Sequence, residues 1–283
     1  MPTTFARPEL LASVDWLAES LSRSGLRLLD CRWRVDGSGR RHFSDGHIPG
    51  AVHLDWAEQL VDAEDPLPFQ LAGPEAFASA MIGAGVADGT TVVLYDDTQS
   101  LYAARVWWTL RAYGFESARL LDGGWPAWLA SGRPISTAAP RERSSTVFTP
   151  RLDPRRRLST ADVASLVRSG RALLVDARTP AEYHGQGGPG ERRGHIAGAV
   201  SLPAALLSEE GGHRFPPADV LAQVITAAGI ARGRRIVVYD AAGIGAAKVA
   251  FALELLGFED VAVYDPGWTD WAPRPQEDYP VES

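Results

Sequence analysis

The segment Arg-Ile-Val-Val-Tyr-Asp-Ala-Ala-Gly-Ile-Gly-Ala-Ala-Lys, residues 235–248, reads as a buried strand, a tight loop and the start of a helix. Arg235–Tyr239 is short and rich in β-branched residues, which suits a strand covered on both faces of a parallel sheet. Residues 246–256 carry apolar side chains at helical spacing, and Gly257 supplies the stop. Strand, loop and helix in this order form the repeating unit of α/β domains, whose ligands bind at the carboxyl ends of the strands. Asp240 stands at such an end.

Working outward, the two halves of the chain match at an offset of about 145 residues. Leu28-Leu29-Asp30-Cys31-Arg32 corresponds to Leu174-Val175-Asp176-Ala177-Arg178, and Gly46-His47-Ile48-Pro49-Gly50-Ala51-Val52 to Gly194-His195-Ile196-Ala197-Gly198-Ala199-Val200. Val92-Val93-Leu94-Tyr95-Asp96 pairs with Ile236-Val237-Val238-Tyr239-Asp240, and Asp122-Gly123-Gly124-Trp125 with Asp265-Pro266-Gly267-Trp268. Four blocks in one order indicate a duplicated domain, the period being far too long for a solenoid. We therefore expect an α/β protein of two domains, 1–135 and 159–283. Between them, 136–158 reads as a linker rich in Pro, Arg, Ser and Thr.

Composition narrows the function classes. A net charge of −7 argues against bulk nucleic-acid binding, and the basic run 151–157 reads as solvated linker. Of the 28 basic residues 27 are arginine, and the single lysine is Lys248. No apolar run reaches the ~18 residues of a membrane span, and the first ten residues lack a signal core, so a cytoplasmic protein is expected. One cysteine, Cys31, rules out an internal disulfide or a CxxC pair. No histidine or nucleotide-loop spacing suggests a metal or cofactor site.

The repeated Gly-His-Ile-X-Gly-Ala-Val blocks, each with Asp-X-Arg upstream and an aromatic block downstream, resemble the tandem rhodanese family, the thiosulfate and 3-mercaptopyruvate sulfurtransferases. The resemblance implies two rhodanese-like domains, each a mostly parallel sheet flanked by helices. It implies a structural first domain and an active loop, 240–246, in the interdomain cleft of the second. In active members a cysteine opens that loop and carries sulfur as a persulfide, held as a thiolate by backbone N–H groups and the helix N-terminus. Here Asp240 stands in its place, followed by Ala241, Ala242, Gly243, Ile244, Gly245 and Ala246 where family loops often read Arg-Lys or Gly-Ser-Gly-Val-Thr. No cation or hydroxyl in that loop is left to recognise a donor anion. Glu182 occupies a position where some members carry a donor-binding arginine.

A carboxylate cannot form a persulfide. The expected protein is thus a family member without that chemistry, binding a small anionic sulfur donor or a protein partner in a regulatory role. Two or three N–H bonds can hold a carboxylate below a pKa of ~2, so a permanently ionised Asp240 filling the anion site is anticipated. Two alternatives stand beside this reading. Sulfur transfer could run through Cys31, although a lone strand-end cysteine is commonly a buried hydrophobe. Asp240 could be a phosphatase-type nucleophile, although Ala242 lacks the second carboxylate such loops use. Arg178 is expected to pair with Asp176 or to face the cleft. Trp268 is expected in the core or lining the cleft, and His47 and His195 in structural hydrogen bonds. The glycine-rich stretch 185–194, with Arg192 and Arg193, reads as a solvated loop with reach over the cleft.

Overall fold

The computed structural model describes residues 3–140, 147–188 and 191–283. Each half forms a five-stranded parallel sheet. The first contains β1 (Leu11–Ala12), β2 (Leu26–Asp30), β3 (Ala51–His53), β4 (Thr91–Tyr95) and β5 (Ala118–Leu121), in the order β1-β5-β4-β2-β3. The second contains β6 (Arg157–Leu158), β7 (Ala172–Asp176), β9 (Val200–Ser201), β10 (Arg235–Tyr239) and β11 (Val261–Tyr264), in the equivalent order β6-β11-β10-β7-β9. A small antiparallel pair, β8 (His195–Ile196) and β12 (Val281–Glu282), ties the C-terminal end to the second domain.

The central strands β4 and β10 are buried from their second residue onward, as continuous apolar runs require. Each is followed by a twelve-residue helix, Leu101–Ala112 in the first domain and Ile244–Leu255 in the second. These two helices pack on one another and are buried almost all round, so a single hydrophobic core runs across the domain boundary. The outer faces of the two sheets close over separate, smaller cores.

The linker is less of a linker than its composition suggests. Ser136 bridges to His47 of the first domain, Phe148 is buried against Phe77 and Phe115, and Arg157–Leu158 is the edge strand of the second sheet. Residues 141–146 lie outside the described part. The basic run is correspondingly not all solvated: Arg156 pairs with Glu254 at 2.6 Å and Arg157 with Asp265 at 3.1 Å, because both carboxylates are buried and need cations. At the other end, Arg7 belongs with the second domain by contact, its amide donating to the Leu255 carbonyl at 3.1 Å.

Candidate active-loop cleft

Chain geometry at the end of β10 turns the loop amides toward Asp240. Oδ1 accepts the amides of Ala242 (3.0 Å) and, at shorter range, Gly243, while Oδ2 accepts that of Gly245 at 2.6 Å. Gly243 makes this turn in the left-handed region at φ 82°, where a Cβ would also collide with Arg105 and Asp265. Behind the loop, the Trp268 amide donates to the Asp240 carbonyl at 2.8 Å. The expected cradle is therefore present and the carboxylate fills it. The direction of its pKa shift is opposite to expectation. Burial lifts the Asp240 carboxyl above the ordinary range, outweighing the three amides and the field of Arg105, because packed protein surrounds the carboxylate on all sides but the cleft.

The first domain repeats this arrangement. Asp96 follows β4 and accepts the amides of Thr98, Ser100, Tyr102 and Ala103 at 2.8–2.9 Å. Asp30 and Asp176 are likewise equivalent. Arg32 grips Asp30 through Nε and Nη2 and donates Nη2 to Gly46 O at 2.7 Å, and Arg178 does the same with Asp176 and Gly194 O at 2.7 Å. His47 stacks on Phe43 and His195 on Tyr183, each bonding through Nδ1 to its stacking partner's carbonyl, the structural role expected of both.

A cavity of about 490 Å³ opens between the domains. Asp240, Ala241, Ile244 and Gly245 line it, together with Arg178, Glu182, Pro203 and Ala204. Trp33, Phe69 and Tyr102 of the first domain form the opposite, aromatic wall. Phe69 holds a left-handed φ of 59°, unusual for an aromatic residue, and its carbonyl is fixed by Arg105 Nη2 at 2.6 Å.

Of the loop residues singled out in the sequence, Ala242, Gly243 and Ala246 are buried and do not border the cavity. Trp268 does not border it either: it is 1% exposed and lies under the Arg178 guanidinium at 4.2 Å, a support for that side chain rather than a wall. Glu182 borders the cleft, but its Oε2 is engaged by the Thr179 amide (3.1 Å) and hydroxyl (2.6 Å) in a capping box. The described part of 185–194 is drawn toward the chain end instead of the cleft, with Arg192 donating to Tyr279 O at 2.7 Å; residues 189–190 lie outside the described part.

Both halves match the description of a rhodanese-like domain, over residues 13–131 and 159–273. The 3-mercaptopyruvate sulfurtransferase of Escherichia coli K12 is 34% identical over 275 residues, covering 95% of this chain and 96% of that protein. The thiosulfate sulfurtransferase of Gallus gallus is 31% identical over 280 residues, 96% of each. The crystal structure of SseA from Escherichia coli, described as a rhodanese fold, superposes with a TM-score of 0.83 at 32% identity, covering 92% of this chain and 98% of that one. The chain belongs to the rhodanese family.

Within this rhodanese the lone thiol has no route to the cleft. Cys31 is fully buried, its Sγ faces Leu29 O at 3.8 Å, and burial, then Asp30 and Asp96, push its pKa well above the usual thiol range. A cation does stand at the cleft, outside the loop in which the sequence shows none. Lys248 borders the cavity and donates Nζ to Ser208 Oγ at 2.8 Å. It lies one helical turn beyond Ile244, on the same face. The signal available in the sequence was this spacing, together with its being the only lysine.

Proposed function

We propose that this rhodanese-family protein has lost persulfide chemistry at its active loop and uses the interdomain cleft to bind a small ligand. The observation that carries this reading is the occupied cradle: both oxygens of Asp240 take the amides that would otherwise stabilise a sulfur anion. The relatives are named for donors that are small anions, thiosulfate and 3-mercaptopyruvate. In this chain an anion would meet Asp240 and Glu182 at the cleft, so the reading favours a ligand with a compact apolar body set against the Trp33–Phe69–Tyr102 wall. A regulatory role through such a ligand, or through a protein partner that senses it, follows from the same reading.

Cyanide-dependent thiocyanate formation with thiosulfate and with 3-mercaptopyruvate tests it. The wild-type chain is expected to give no more thiocyanate than the uncatalysed mixture. Turnover at ordinary enzyme rates, ~1 s⁻¹ or more, would overturn the reading. Asp240→Cys is expected to gain activity, since it returns a sulfur nucleophile to the loop.

A further inference from the structure

Lys248 is 2% exposed, yet among the described residues no carboxylate forms an ion pair with it. The other cation at the cleft, Arg178, is neutralised by Asp176. Burial pushes the Lys248 ammonium down to about 8, with Asp96 the charged group opposing that shift. A buried amine without a counter-charge, on the wall of a largely apolar cavity, reaches its neutral, nucleophilic form much nearer to neutral pH than an ordinary lysine. Ser208 Oγ, 2.8 Å from Nζ, can exchange a proton with it, and Asp240 lines the same cavity.

We propose that Lys248 captures a small carbonyl compound in the cleft as an imine. The Nζ lone pair forms a bond to the carbonyl carbon while the carbonyl oxygen takes up a proton. The resulting carbinolamine loses that oxygen as water, and the nitrogen gives up its remaining proton. Amine and carbonyl become imine and water, with no oxidant or reductant. Ser208 is a positioning residue, orienting Nζ and relaying its proton. This inference rests on the reading of the cleft as a ligand site without persulfide chemistry.

Incubation of the full chain with pyruvate, or with propanal, followed by borohydride reduction and peptide mapping tests the proposal. Because the chain has one lysine, any side-chain adduct reports on Lys248 and is resolved from the α-amino group. The expected result is a reduced adduct on Lys248, formed at least about tenfold faster at pH 7 than on free acetyl-lysine, since a larger fraction of the amine is neutral. It is absent from Lys248→Met and Lys248→Arg, and slowed in Ser208→Ala. Labelling by propanal alone assigns neutral carbonyls, as the carboxylates at the cleft favour, and labelling by pyruvate as well assigns carbonyls in general. Labelling confined to the α-amino group, or Lys248 reacting no faster than the free amino acid, overturns the proposal. Neither result alters the thiocyanate assay, so the two readings fail separately.

Discussion

Asp240 Oδ2 accepts the amide of Gly245 at 2.6 Å, and a methyl group added to Gly245 would stand 3.0 Å from that same oxygen. The carboxylate and the glycine are thus matched to one another. Where the family loop Gly-Ser-Gly-Val-Thr carries threonine, this chain carries the one residue that leaves room for a carboxylate.

The match is measurable as a coupling. Gly245→Ala is expected to cost about 1–2 kcal/mol in the wild type, because the methyl must displace the carboxylate or the Ala204 side chain. In an Asp240→Ala background the same change should cost little, giving an interaction of about 1 kcal/mol in a urea-denaturation cycle. Equal costs in both backgrounds would show the two residues to be independent.

Lys248 gives a pH-dependent stability. Its folded pKa of about 8 lies below the ordinary 10.5, so the native state resists protonation that the unfolded chain accepts. Below pH 8 both states are charged and the full cost applies, about 3 kcal/mol; the cost fades as pH rises from 8 to 10.5 and is gone above that. Lys248→Met, of similar volume, should therefore raise stability at pH 7 by up to about 3 kcal/mol, less by pH 10. Parallel stability curves at the two pH values would contradict this. The groups facing the amine are Ser208 and Asp96, and Asp240 lines the same cavity.

These residues also mark where sequence reading reached and where it stopped. The sheets were legible because strands such as Ala172–Asp176 and Arg235–Tyr239 are short apolar runs with Asp at or just after their ends, and the repeat showed that the two halves share one architecture. Asp240, Gly245, Glu182 and Arg178 were legible as cleft candidates because they follow closely on the carboxyl ends of β7 and β10. Lys248 was not, since a lysine in a helix ordinarily faces water, and only the packing of Ile244–Leu255 against Leu101–Ala112 buries it. The aromatic wall was hidden for a related reason. Trp33, Phe69 and Tyr102 come from three separate segments of the other domain, and no local pattern shows which segments meet across an interface. Trp268 was half legible: its helical spacing to Trp271 marks core, but its contact with Arg178 is tertiary.

Cys31 should be chemically silent in the folded chain. A thiol with no exposure and a raised pKa offers no thiolate. Ellman's reagent is expected to find no thiol in buffer and one per chain in denaturant. Cys31→Ser should leave every sulfur-transfer measurement unchanged while costing about 1–2 kcal/mol, because a hydroxyl in that apolar site is poorly partnered. Rapid modification of the native protein would reopen the route through this residue.

Arg105 ties together the loop, the aromatic wall and the domain interface. From the first-domain helix it donates Nη1 to Asp265 Oδ1 at 2.6 Å and to Gly243 O at 3.1 Å, and Nη2 to Phe69 O. Asp265 has no exposure and, among the described residues, would keep only Arg157 and the Leu71 amide, at 3.1 and 3.2 Å, if Arg105 were removed. Truncating one member of a buried pair leaves the other charge undercompensated, so Arg105→Met is expected to cost about 3–5 kcal/mol. Its mark should be spatially specific. Amide exchange should rise in the loop 240–246 and around Phe69, both of which Arg105 holds, before it rises in the outer strands β3 and β9. A uniform loss of protection would mean that Arg105 supports the core as a whole and has no particular role in shaping the cleft.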